Sequence, residues 1–253
     1  MTLDACAELV ARADPDRFQS VMAAQVAARA TLLPIYALNV EVTRAPWVTE
    51  EPVIAEMRLQ WWRDVLEEIA DDRPVRAHDV TLPLSGVLDA SGALMLDRLV
   101  AARRWDIYRD TFEDAEHFEQ YLEATSALLM WVAARALGEP AVSEKAMRDV
   151  GWAAGLAAFF KAIPELEARG RRPLVDGRPA AISDLARTGL ARLQRGLANG
   201  ACGPATYPAL LAGPILRLAA RQPDCVATGS LEVSEFNRRS RRLRMALTTR
   251  VPS

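Results

Sequence analysis

Apolar residues recur along the chain at three- and four-residue spacings, between short breaks rich in proline, glycine and aspartate, while the two-residue alternation of a half-buried strand is scarce. That period predicts helices almost throughout and no strand. Asp14-Pro15-Asp16 reads as a helix start, with Asp14 as N-cap and Pro15 at the first helical position, where its missing N–H costs nothing. The helix should run to about Arg44, kinked near residues 30–34 by Pro34 and closed by Ala45-Pro46. Thr49-Glu50-Glu51-Pro52 opens the next, in which Ile54, Met57, Trp61 and Val65 form one apolar face and residues 71–74 end it. Residues 82–90 and 94–108 read as a short and a medium helix separated by Ser91-Gly92, and 114–137 as a long one ended by Gly138 and Pro140. Residues 143–163 are apolar through Trp152, Leu156, Phe159 and Phe160 and belong at the centre of the core. A turn at 169–173 precedes a helix over 182–198, a second break at 199–204 precedes a helix over 205–221 bent by Pro208 and Pro214, and the segment 231–247 is thinly apolar and densely basic. No period of ~20–50 residues repeats, so a solenoid is disfavoured and an all-α, single-domain helical bundle over residues 1–253 is predicted.

Composition narrows the function classes. The 253 residues are 51% hydrophobic and 25% charged, ordinary for one large globular domain. A net charge of -2 gives no basic field, so no nucleic acid partner is expected. All but two of the 31 basic residues are arginines, the exceptions being Lys145 and Lys161; a GC-rich coding sequence explains this as well as selected chemistry does, so arginine counts are discounted. Cys6, Cys202, Cys225, His78 and His117 share no metal-ligand spacing, which argues against a zinc site or a disulfide framework. Asp4 and Glu8 near the N-terminus do not read as a secretory signal, and no stretch reaches the ~18–20 apolar residues of a membrane span. A reduced, cytoplasmic protein is expected, with membrane contact limited to a peripheral one on the inner face.

Four segments carry a more specific signal. Leu32-Leu33-Pro34-Ile35-Tyr36-Ala37-Leu38-Asn39-Val40-Glu41-Val42-Thr43-Arg44, Arg58-Leu59-Gln60-Trp61-Trp62-Arg63-Asp64, Tyr121-Leu122-Glu123-Ala124-Thr125-Ser126-Ala127, and Gly151-Trp152-Ala153-Ala154-Gly155-Leu156 through Lys161 to Arg169-Gly170-Arg171 occur in this order. Each resembles a signature helix of the squalene/phytoene synthase family, and together they span roughly residues 18–174. The resemblance implies an isoprenoid synthase fold with a central cavity, in which two Asp-rich motifs face each other and hold Mg²⁺ against a prenyl diphosphate. Here the first aspartate pair falls on Thr43 and Arg44, with the third aspartate near Trp47, and the second motif falls on Lys161-Ala162-Ile163-Pro164-Glu165-Leu166, where only Glu165 keeps a carboxylate. Ala162 and Leu166 cannot bind a hard cation, and Arg44 repels one. The pattern argues against a catalytic residue set, a metal site or any cofactor, Mg²⁺ entering only if the chain is an enzyme after all.

The remaining candidates follow from that frame. Tyr36, Asn39, Glu41 and Arg44 on the first signature helix, Arg58 and Trp62 on the second, Tyr121 on the third, and Lys161, Glu165, Arg169 and Arg171 on the fourth are candidate cavity or ligand contacts. Glu41 reads either as a structural partner of Arg44 or as polar recognition; Trp61 and Trp62, about 100° apart on a helix, put one ring in the core and leave the other to a groove or an arginine. Asp106 and Asp110 sit at i,i+4 spacing and read either as a solvated helix end or, lacking an apparent facing carboxylate set, less readily as a cation site. Phe236, Arg238, Arg239, Arg241, Arg242 and Arg244, in the basic segment 231–253, suit a peripheral amphipathic helix on an anionic membrane surface, an acidic partner, or a solvated tail. The chain looks most like the family's branch without the aspartates, which includes a respiratory complex I assembly factor. That implies a non-catalytic protein acting in NADH dehydrogenase assembly at the membrane, in contact with a complex I subunit or an assembly intermediate. The alternatives are a prenyltransferase with relocated carboxylates and an isoprenoid or lipid binding protein.

Overall fold

A computed structural model describes residues 3–49, 51–108 and 110–252, so Glu50 in the second helix start and Ser253 at the end of the basic segment lie outside the described residues. Every regular element among them is helical. The chain divides into two compact units, one of Met1–Tyr108 and Trp131–Ala141, the other of Arg109–Met130 and Val142–Ser253.

In the first unit α1 (Leu3–Ala13) and α2 (Pro15–Met22) precede α3 (Val26–Arg44), followed by α4 (Pro52–Ala70), the short α5 (Thr81–Ser85) and α6 (Ala90–Ala102). Asp14 caps α2 as expected, accepting from the Arg17 N–H at 3.0 Å. The single helix expected from Asp14 to Arg44 is instead two. Ala23 and Ala24 close α2 with tight three-residue hydrogen bonds, and Gln25 is extended (φ -63, ψ 152), so α3 starts afresh and runs through Pro34. α4 has the expected bounds but a shifted buried face: Ala55, Leu59, Trp62, Val65, Leu66 and Ile69 turn inward, so of the expected stripe Val65 is buried and Trp61 half-buried, whereas Ile54 and Met57 are exposed. The helix carries two apolar stripes, and packing against α6, fixed by a two-pronged Arg63–Asp97 ion pair (2.7 and 3.1 Å), selects one of them. Ser91-Gly92 is not a break, because the Asp89 carboxylate accepts from the Gly92 N–H at 2.7 Å and makes these residues the first turn of α6.

In the second unit, α7 (Ala115–Leu122) is capped by Asp114 and passes through one π turn, Glu123–Ala127, into α8 (Leu128–Ala136), whose last residues belong to the first unit. The Thr125 hydroxyl donates to the Tyr121 carbonyl at 2.7 Å, competing with the backbone ladder where the helix widens. α9 (Glu144–Ala168) is buried on nearly every side through Met147, Trp152, Leu156, Phe160 and Ile163, and extends five residues beyond the expected Ile163, carrying Pro164 within it. It reaches the π turn so closely that a Cβ on Gly151 would stand 2.9 Å from Ala127 Cα. Against its other side packs α10 (Pro179–Ala198), followed by a 3-10 stretch (Pro204–Leu211), α11 (Ala212–Arg221), α12 (Asp224–Ala227) and α13 (Glu235–Thr248). The one helix expected over 205–221 is thus a 3-10 stretch, which carries Pro208, and an α-helix.

Candidate functional site

The first two signature segments lie on α3 and α4 in the first unit, and the other two lie on α7, the π turn and α9 in the second. On α3, Tyr36 is buried, with the Arg17 guanidinium 4.8 Å from its ring centroid. Burial pushes its hydroxyl pKa up to about 12, Arg17 opposing the shift and Asp14 adding to it. One turn on, Asn39 Oδ1 and Thr43 Oγ1 share a helix face at i,i+4, and both oxygens are buried without a hydrogen-bond partner among the described residues. Glu41 pairs with Arg44 at 3.3 Å, the Arg44 side chain being exposed. No acidic pair stands on this helix.

On α4, Trp62 enters the core and Trp61 stays half-buried, its ring under the Arg76 guanidinium at 5.5 Å. His78 packs edge-on against both rings, and its Nδ1 accepts from the Val80 N–H. Arg76 also pairs with Glu68 (2.5 Å) and Asp64 (3.5 Å); hydrogen bonds from Arg76 hold the Glu68 carboxyl below the usual carboxylate range, against burial. Arg58 is exposed. Asp106 is buried and paired with Arg103 at 3.1 Å, which corrects its reading as a solvated residue, and the 3-10 turn that carries it (Arg103–Asp106) ends there, so Asp110 is not one turn further on the same helix.

In the second unit Tyr121 is buried in an aromatic cluster with Phe112 (5.4 Å) and Phe159 (6.2 Å), joined by Phe118. Near the end of α9, Lys161 and Glu165 are exposed, Ala162 is half-buried and Leu166 is buried. Glu165, the one carboxylate in this segment's motif positions, pairs with Arg169 at 2.7 Å, while Arg171 is buried beyond the turn. Among the described residues no group of three or more His, Cys, Asp or Glu side chains could hold a metal ion.

The best-built polar feature of this unit centres on an arginine outside the four signature segments. Arg192 on α10 stacks on Trp152 (4.3 Å) while pairing with Glu119 and, at 2.7 Å, with Glu123 in the π turn; Arg148 also reaches Glu123 (3.5 Å). Beside it Asp149 and Arg195 form a two-pronged pair (2.7 and 2.5 Å). The i,i+4 spacing of Glu119 and Glu123 was the available signal.

The basic C-terminal segment forms α13, and its arginines divide. Arg238 donates to the Val233 carbonyl and Arg241 to the Leu210 and Pro252 carbonyls, so both turn inward, and Arg242 is half-buried; Phe236, Arg239 and Arg244 are exposed. No helix among the described residues is long and apolar enough to cross a membrane.

Comparison with known proteins adds three relations. A crystal structure of a dehydrosqualene synthase in complex with ligand superposes with a TM-score of 0.69 at 11% identity, over 97% of this chain and 95% of that one. The fold is therefore the all-α isoprenoid synthase fold. Among curated proteins, the complex I assembly factor 6 of Bos taurus is 22% identical over 66% of this chain and 50% of its own length. Its Homo sapiens counterpart is 23% identical over 63% and 48%, and the Drosophila melanogaster homolog 26% identical over 67% and 53%. The chain spans about half the length of these relatives. The squalene/phytoene synthase family model matches residues 10–175, well over half of the sequence and all four signature segments, and the chain belongs to that family.

Proposed function

We propose that this chain is a non-catalytic member of the squalene/phytoene synthase family that assists assembly of the respiratory NADH dehydrogenase, complex I. The observation that carries the reading is the set of relatives: the matched bovine, human and fly proteins are each named as complex I assembly factor 6 or its homolog. The chemistry of the signature positions supports it. A Mg²⁺ that bridges a diphosphate requires several hard anionic oxygens within ~2.1 Å. The positions that the resemblance sets against the aspartates carry Thr43, Arg44, Ala162 and Leu166, with Arg44 bound to Glu41 and the nearby Glu165 bound to Arg169. Neutral Asn39 and Thr43 oxygens are poor substitutes for paired carboxylates. The residues present do not fit that ion, and no condensation step is derived through it.

Two measurements test the reading. Purified chain incubated with farnesyl or geranylgeranyl diphosphate and Mg²⁺ should release no more diphosphate than a protein-free control; sustained turnover contradicts the non-catalytic half. Tagged chain recovered from its source cells should bring NADH dehydrogenase subunits with it. Recovery without any of them contradicts the assembly half.

A further inference from the structure

α13 is held to its unit by one side only. Met245 is fully buried, and Arg238 and Arg241 are turned inward onto backbone carbonyls. On the opposite side Phe236, Leu243 and Leu247 are 83%, 63% and 76% exposed. Spacings of seven and four residues place them within about 40° of one another, in a straight stripe along some three turns of helix. Arg239 flanks the stripe on one edge, its side chain 79% exposed and 3.7 Å from Glu235, and Arg244 flanks the other, also exposed. The helix holds five arginines and a single carboxylate, Glu235. Its positive charge is felt locally: Arg241 holds its proton less tightly than an ordinary guanidinium, through burial first and then through Arg217 and Arg244.

We propose that α13 docks this protein on an anionic lipid surface, with Phe236, Leu243 and Leu247 entering the boundary between headgroups and acyl chains and Arg239 and Arg244 pairing with lipid phosphates. Charge complementarity selects this occupant. A straight apolar stripe rimmed by exposed arginines, on a helix with five arginines and one carboxylate, matches a plane of negative charge over an apolar interior. A folded protein partner needs about 800 Å² from each side, with a packed centre, and a stripe of three side chains on a single convex helix supplies much less. The inference stands on α13 alone and survives or fails independently of the assembly reading.

The test is co-sedimentation of the full chain with vesicles of phosphatidylcholine alone or with about one-third phosphatidylglycerol. Binding should be strong only on the anionic vesicles and should weaken as salt rises. The double variant Arg239→Gln/Arg244→Gln should lose roughly 20-fold in partition, from the electrostatic attraction of two arginines near an anionic surface. Leu243→Ser/Leu247→Ser should also lose several-fold, and since all four side chains are exposed, both variants should melt with the wild type. Absence of binding to anionic vesicles, with an acidic protein face as the remaining occupant, would overturn the proposal. So would wild-type binding by either double variant.

Discussion

A methyl group on Gly151 would stand 2.8 Å from Met130 Cβ and 2.9 Å from Ala127 Cα, and one on Gly155 would overlap the Ser126 side chain. The obstacles at Gly151 are helix backbone and a Cβ, which cannot swing aside. Overpacking of this kind costs about 1–3 kcal/mol. Gly151→Ala should therefore lower the melting temperature by several degrees, while Gly177→Ala, whose Cβ meets nothing within 4 Å, should leave it unchanged or slightly raised. Equal melting of both variants would contradict the close approach of α9 to the π turn. Glu68 offers a test by pH. Its carboxyl is held below its ordinary value by Arg76, so the pair's contribution is complete above the unfolded carboxylate pKa and is lost as pH falls through the lower, folded one. Glu68→Gln should cost about 1 kcal/mol near neutrality. Its melting deficit should vanish in acid, and a deficit unchanged below the carboxylate range would contradict the pair.

Between elements, the link to examine is Arg192 on α10 with Glu123 in the π turn, a 2.7 Å pair roofed by Trp152. A double-mutant cycle with Arg192→Met and Glu123→Gln should give a coupling of about 1 kcal/mol, since neither side chain is fully solvated. A coupling near zero would make the pair incidental. These elements also mark where sequence reasoning succeeds and where it stops. The cap Asp14, the start of a helix at residue 114, the ends of α4 and the apolar weight of α9 are local properties, and they are legible in the sequence. Which stripe of α4 is buried depends on α6, which no local pattern contains, so periodicity alone turns Ile54 and Met57 inward although both are exposed. The break at residues 23–25 has neither proline nor glycine and left no mark. The π turn is invisible to a 3.6-residue period, although Gly151 and Gly155 stood in the quoted motif.

For the whole molecule, the four signature segments were enough to anticipate the family and the isoprenoid synthase fold, because tyrosine, tryptophan and glycine positions that build the helices stand in recognisable order. The candidate site was less legible. The motif alignment sets Thr43, Arg44, Ala162 and Leu166 at the aspartate positions, and the three-residue spacing already offers Glu41 as a partner of Arg44; the structure shows that pair and adds Glu165 engaged by Arg169 and, on α3, two buried oxygens without a partner among the described residues. The same chemistry that argues against prenyl condensation leaves a helical scaffold whose matched relatives bear the name of an assembly factor. The most direct measurement of that claim is the amount of assembled NADH dehydrogenase, relative to another respiratory complex, in membranes from a strain lacking this gene. The account predicts that the ratio falls several-fold and recovers when the gene is returned. A ratio equal to that of the parent strain would contradict it.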